Sequence, residues 1–318
     1  MDVLLSLPIV SYFFSTSLTS WSTSLNLLFF YMTWTTLVLS HSPLKLELVG
    51  TTALRALLWL VPSLVFLAFD TLVPSLSQTM KHHGASVFPP RDARAVAKLV
   101  GLALFNFALE TAVEAATSLG LSHLLGAPVF RTSTTLPLPW QMIKHLAILL
   151  TAREVLTYYI HRHLLHGHPL ALPSSLSLSK SKRNNNSPKI TTTTTLPSLH
   201  TQYAHTTTPR SPTSLNLKTD HPFPYLLHRF LPLYLPALAL HYSHSQSLHI
   251  LTFFVYVALA TLDETLAMSG YKVVAPLGGI LLGGVARRTA AHYASGGRGN
   301  FGGWGVLDWV HGTGTGTG

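Results

Sequence analysis

The sequence predicts an all-α, multi-pass membrane helical bundle with a His-rich region. Three observations predict it. Of 318 residues, 47% are hydrophobic and only 10% charged, whereas a soluble domain carries about 25% charged residues. Two runs, Val3 to Leu44 and Phe230 to Leu262, contain no Asp, Glu, Lys or Arg, and roughly 20 apolar residues suffice to cross a bilayer core. Thirteen of the 18 histidines lie between His161 and His311, clustered at the ends of apolar stretches and in the segments between them.

Apolar runs place helices near residues 24–40, 52–75, 97–120, 142–160 and 230–269, the last long enough for two helices or a hairpin. The opening MDVLLSLPIV lacks the basic stretch of a cleaved signal peptide, so the first helix is expected to be retained. Pro62 in the second helix is tolerable as a kink within a membrane. In the third, Glu110 and Glu114 lie four apart and share a face, which fits either a role inside the membrane or an interface. After His168 the stretch LPSSLSLSKSKRNNNSPKITTTTTLPS is low in complexity and cannot bury a core. The expected organisation is therefore N-terminal helices over 1–140, a histidine-bearing region over 141–313 interrupted by an insertion at 171–199, and a flexible tail at 314–318.

The net charge of +10 is uneven: seven basic residues and no acidic one occur between Val155 and Thr219. Such a segment marks the cytosolic side and is drawn to anionic headgroups. No nucleic-acid partner is expected, because the flanks are apolar and no binding motif is present. The absence of Cys excludes disulfides, thiolate ligands and thiol catalysis.

The segment YYIHRHLLHGH, residues 158–168, holds four histidines. A metal site, a haem site, proton handling and chance all compete for it. Neutral imidazole is the usual nitrogen ligand of transition metals. His163 and His166 share a helical face, but His161 and His166 are five apart, about 140° around an α-helix, so the helix must end or bend between them. A bis-histidine haem needs its ligands inside facing helices, which this distribution does not offer. His241, His244 and His249 read as a polar loop between two apolar stretches.

The order of segments carries a resemblance. YYIHRHLLH, then LHTQYAH, DHP, LDETLAMSGY and GNFGGWGVLDWVHGT resemble, over about residues 140–313, the fatty acid hydroxylase and sterol desaturase superfamily. The most specific part is the closing stretch of Asn300, Phe301, Gly302, Asp308, Trp309, Gly312 and Thr313. The resemblance implies a membrane helical bundle in the endoplasmic reticulum, of about four core spans plus an N-terminal span, under a cytosolic His-rich helical cap. It further implies histidines holding two metal ions, normally iron, that oxidise a lipid (sterol or fatty acyl chain) to an alcohol or alkene with dioxygen. Electrons would come from NADPH or NADH through a small b-type cytochrome and its reductase.

Carried over residue by residue, His161 matches the first histidine of the first motif, and His166 the second of its pair, with Leu165 in the other place. His200 and His205 match the second motif but stand one residue too far apart, with Ala204 where a partner histidine belongs. His221, followed by Pro222, fits the intervening histidine. Of the third motif only His292 survives, with Arg288 and Ala291 at the other two positions. Variants of this kind are similar to a fungal-type, divergent branch. The implied ligands are thus His161, His166, His200, His205, His221 and His292, with His163, His168 or His228 as substitutes and Asp263 and Glu264 as partners behind the ligands or helix caps. The thinned set also fits a second function: a catalytically degenerate relative that keeps the fold and binds lipid or a partner.

Overall fold

The computed structural model describes residues 21–82, 84, 88, 92–167, 195–206, 212–243, 248–272 and 279–315. His168 and residues 171–194 of the expected insertion lie outside the described residues, as does His244. Among the described residues the regular structure is helical, with no strand beyond the isolated bridges Lys81–Tyr271 and Arg131–His249. In chain order the α-helices of five residues or more among the described residues are α1 (Trp21–Ser40), α2 (Pro43–Leu72), α3 (Pro74–Met80), α4 (Ala93–Leu125), α5 (Pro139–Tyr159), α6 (Leu196–His200), α7 (Leu231–Ser243), α8 (Ile250–Ala267), α9 (Gly279–Ala294) and α10 (Val306–Val310).

Three of them, α2, α4 and α8, are long and apolar enough to cross a membrane. Their packing is inverted relative to a soluble protein. Leu57, Val61, Leu64 and Val65 on α2, with Leu104, Phe105 and Leu119 on α4, are exposed, while Arg55, Asn106, Glu110 and Glu114 are buried. Apolar side chains outside and ionisable ones inside is the pattern a bilayer selects. The run 230–269 resolves into two helices, α7 and α8. His249, expected in a polar loop between them, is instead buried and caps α8, its Nδ1 accepting the Leu251 N–H at 3.1 Å.

Pro62 sits in a helix that has already adapted to it. Proline has no N–H for the carbonyl four residues back, and the ladder widens into a π-turn over Ala56–Leu60, where the Val61 N–H reaches the Ala56 carbonyl.

Trp34 of α1, Leu46 of α2, Leu149 of α5, Tyr234 of α7 and Phe253 of α8 belong to one core, so the helices before and after residue 140 are packed together. A second knot ties down the segment between α6 and α7. Arg55 lies 3.3 Å from Glu110 and also pairs with Glu114; Lys218 pairs with Glu110, and the Tyr225 hydroxyl donates to Glu110 at 2.5 Å. Glu110 and Glu114 do share a face, and that face is an ion-paired seam. Asn106 on α4 donates to the backbone carbonyls of Lys218 and Asp220, at 2.8 and 2.7 Å. Arg55, Glu110, Glu114 and Lys218 each face an opposite charge in this seam, and the pairing fixes the loop that precedes α7.

Candidate metal centre

Wide helical turns gather the histidines. Beyond Tyr159, α5 continues as a π-turn over Ile160–Leu165, and the His166 N–H donates to the His161 carbonyl five residues back at 3.1 Å. Closing a turn over five residues swings position i+5 back toward position i, so the bend expected between these two is a widened winding. Their ring centroids are 4.9 Å apart. The same device follows α6, whose start is fixed by a capping box of Thr195 and Ser198. Residues Thr201–Thr206 form a π-turn, and the rings of His200 and His205 lie 5.3 Å apart. The spacing that is one residue too wide for an α-helix is thereby made to converge. A third π-turn, Leu226–Phe230, carries His228, and α9 supplies His292.

These six imidazoles form one cluster. His161 lies 4.3 Å from His228 and 4.6 Å from His292 between ring centroids; His166 lies 5.0 Å from His200 and 5.1 Å from His205. Two groups can hold a metal ion: His161, His166 and His200, and His166, His205 and His292, with ligand atoms within 4.8 Å of one another in each. His161, His200, His228 and His292 are buried.

The rings are aimed from behind. His161 Nδ1 is 3.0 Å from the Phe301 carbonyl, His292 Nδ1 is 2.7 Å from the Gly299 carbonyl, and His200 Nδ1 is 2.5 Å from Asp220 Oδ2. A carbonyl accepts only from an N–H, so in His161 and His292 the proton sits on Nδ1 and the lone pair on Nε2. The Nε2 atoms of His166, His200, His228 and His292, and both ring nitrogens of His205, are buried without a hydrogen-bond partner. Buried polar atoms are normally paired, and a set of orphaned, converging nitrogens with partners behind them fits a metal ion. Burial, reinforced by the neighbouring imidazoles, holds His166 at a pKa of about 2, His205 at about 3 and His292 at about 4. It holds His161 and His228 well below the ordinary value as well. Those five are then neutral at physiological pH, the ligand form.

The closing stretch positions two of those carbonyls. Asp308 accepts from the N–H groups of Phe301 and Gly302 at 2.9 and 2.8 Å and from the Thr313 hydroxyl at 2.7 Å. Glu154 on α5 accepts from the Trp304 N–H at 2.7 Å. Asn300 has φ 53°, a conformation Asn tolerates better than most residues. A side chain at Gly302 would begin 2.9 Å from Glu154 Oε1, so the glycine allows this contact.

Of the predicted ligands, His161, His166, His200, His205 and His292 come together, joined by His228 from the substitutes. His221 does not converge with them: it precedes Pro222, its Nδ1 accepts the Phe223 N–H at 3.3 Å, and its ring packs on Tyr203. His163 is exposed and stacks on Tyr159. Glu264 backs no imidazole and caps no helix; it pairs with Arg153, and with Arg229 at 2.9 Å. Asp263 lines the cavity beside the cluster. Arg288 donates to the Gly303 carbonyl at 2.9 and 2.7 Å and so braces the closing stretch. The carboxylate that does back a ligand is Asp220. Its sequence signal was the Asp immediately before His221-Pro222, in the same DHP triplet.

Beside the cluster lies a cavity of about 80 Å³ bounded by Glu154, Asp263, Met268, Val285 and Phe301. No protein-family model matches this chain, and no solved structure matches it.

Proposed function

We propose that this chain is a membrane-bound di-iron oxidoreductase that hydroxylates or desaturates a lipid, a sterol or a fatty acyl chain, with dioxygen. The observation that carries the reading is the convergence of six imidazoles, five of which turn a buried ring nitrogen without a hydrogen-bond partner into the cluster. Four ligands close a tetrahedral zinc site, so six exceed one such ion and suit two that keep positions open. Iron bound to neutral nitrogen supplies dioxygen chemistry able to attack an unactivated C–H bond. The chain's own contribution is to aim the rings, through the carbonyls of Phe301 and Gly299 and the carboxylate of Asp220. Met268, Val285 and Phe301 provide an apolar wall against which a lipid carbon can lie.

In this reading α2, α4, α5 and the α7–α8 pair are the spans, α1 adds an N-terminal one, and the cluster lies at the cytosolic face of the endoplasmic reticulum membrane. The basic excess of Val155–Thr219 supports that orientation. Electrons then reach the site from NADPH or NADH through a b-type cytochrome docking on the same face.

Elemental analysis of the full chain purified in detergent tests the reading. About two irons per chain are expected, as a two-metal site requires, with loss in His161→Ala and His292→Ala. Folded protein that binds no iron but retains lipid would instead identify a non-catalytic relative, and a Soret band would identify a haem protein.

A further inference from the structure

A second cavity, of about 300 Å³, lies at the opposite end of α5 from the histidine cluster. α5 has 21 residues, so at about 1.5 Å per residue the two sites are roughly 30 Å apart. Arg131, Gln141, His145 and His249 line the cavity, with Thr135 and the turn Leu136–Leu138. The proposal does not rest on the metal reading.

Its chemistry is consistently that of an anion receptor. No carboxylate lines it, and none occurs anywhere from Ala115 to Ala152 or from Phe230 to Leu262, while Arg131, Lys144 and His145 do. An anion there meets donors without a competing negative group. The walls are set by the fold. The Arg131 N–H donates to the Leu248 carbonyl, and the Ile250 N–H donates to the Arg131 carbonyl, each at 3.0 Å, which fastens the arginine to the start of α8. Gln141 and His145, four residues apart, present one face of α5 to the cavity, and Leu138 just before the helix joins them. The α5 N-terminus also opens here, with no side chain capping it, so its positive end adds to the same field.

The surroundings indicate what carries the anion. Leu138, Trp140 and Ile143 beside the cavity are exposed, and an exposed Trp among aliphatic residues is the composition of a membrane interface. A ligand with its charge in the cavity can lay apolar chains along this surface. We propose that the cavity binds a phosphate group carried by a membrane lipid.

Native mass spectrometry of the full chain in detergent tests this, with dioleoyl phosphatidic acid, dioleoylglycerol and inorganic phosphate as probes. Phosphatidic acid is expected to be retained and dioleoylglycerol lost. The double variant Arg131→Gln/His145→Gln is expected to lower phosphatidic acid retention about tenfold or more, because charge-assisted bonds are lost, and Arg131→Lys to preserve most of it. The Arg131 side chain is exposed, and an unchanged melting temperature checks that the variants fold. Equal retention of both lipids, or undiminished binding by the folded double variant, overturns the site. Inorganic phosphate binding as tightly as phosphatidic acid, and displacing it at millimolar concentration, overturns the lipid as its source.

Discussion

Asp220 holds His200: the carboxylate Oδ2 is 2.5 Å from Nδ1, leaving Nε2 turned into the cluster. Asn106, on a membrane-length helix, fixes the Asp220 carbonyl in turn. Partners behind a metal ligand typically contribute 10–100-fold to affinity, so Asp220→Asn is expected to weaken metal retention by about that factor. Chelator titration of the loaded protein measures it, and unaltered retention removes Asp220 from the site.

Gly297 and Gly296 make a matched pair. Both have positive φ, but a Cβ on Gly297 would lie 2.4 Å from His166 Cε1, whereas one on Gly296 meets nothing within 4 Å. Each Gly→Ala change is expected to cost about 1–3 kcal/mol in backbone strain. Only Gly297→Ala should also displace the ring and lose metal. Thermal melts paired with metal analysis separate the two effects.

Asp308→Ala is expected to destabilise the fold and the cluster together. Asp308 is buried and is the side-chain acceptor for the N–H groups of Phe301 and Gly302, and an orphaned buried donor costs roughly 1–3 kcal/mol. The Phe301 carbonyl behind His161 would shift with it. A fall in denaturation midpoint with unchanged metal content would show that the closing stretch does not aim the ligands.

Acid should unfold the metal-free protein early. His166, His205 and His292 titrate at about 2, 3 and 4 in the fold, depressed by burial first, against 6.5 for the ordinary group. The unfolded chain takes up protons that the folded chain refuses. The contribution of these groups is therefore complete above about pH 6.5 and is lost as pH falls from there through about 4 for His292, 3 for His205 and 2 for His166. Melting temperatures of metal-free protein across that interval should decline, and less steeply in His292→Gln. A pH-independent melt would mean that these rings are not buried as neutral groups.

The apolar runs and charge-free stretches made the long helices legible, because membrane length and composition are written locally. Five of the converging histidines were legible too, since their segments stand in a recognisable order. What local patterning does not encode is the winding. Five-residue spacing argues against convergence on an α-helix, and nothing in TQYA announces a π-turn. Asp220 was missed for a different reason. It reaches His200 through a loop anchored by Asn106, far away in sequence, whereas Asp263 and Glu264 drew attention by proximity to a motif and are engaged by arginines or the cavity instead.

The wide turns at Ala56–Leu60, Ile160–Leu165, Thr201–Thr206 and Leu226–Phe230 bear on how such a chain tolerates change in length. An extra residue in an ordinary helix rotates everything beyond it by about 100° and scrambles which side faces the core. A turn that expands to take in that residue confines the insertion to one loop of backbone and returns the rest of the helix in phase. A pattern defined by fixed intervals reads such an insertion as the loss of a histidine, while in three dimensions the histidine is still there.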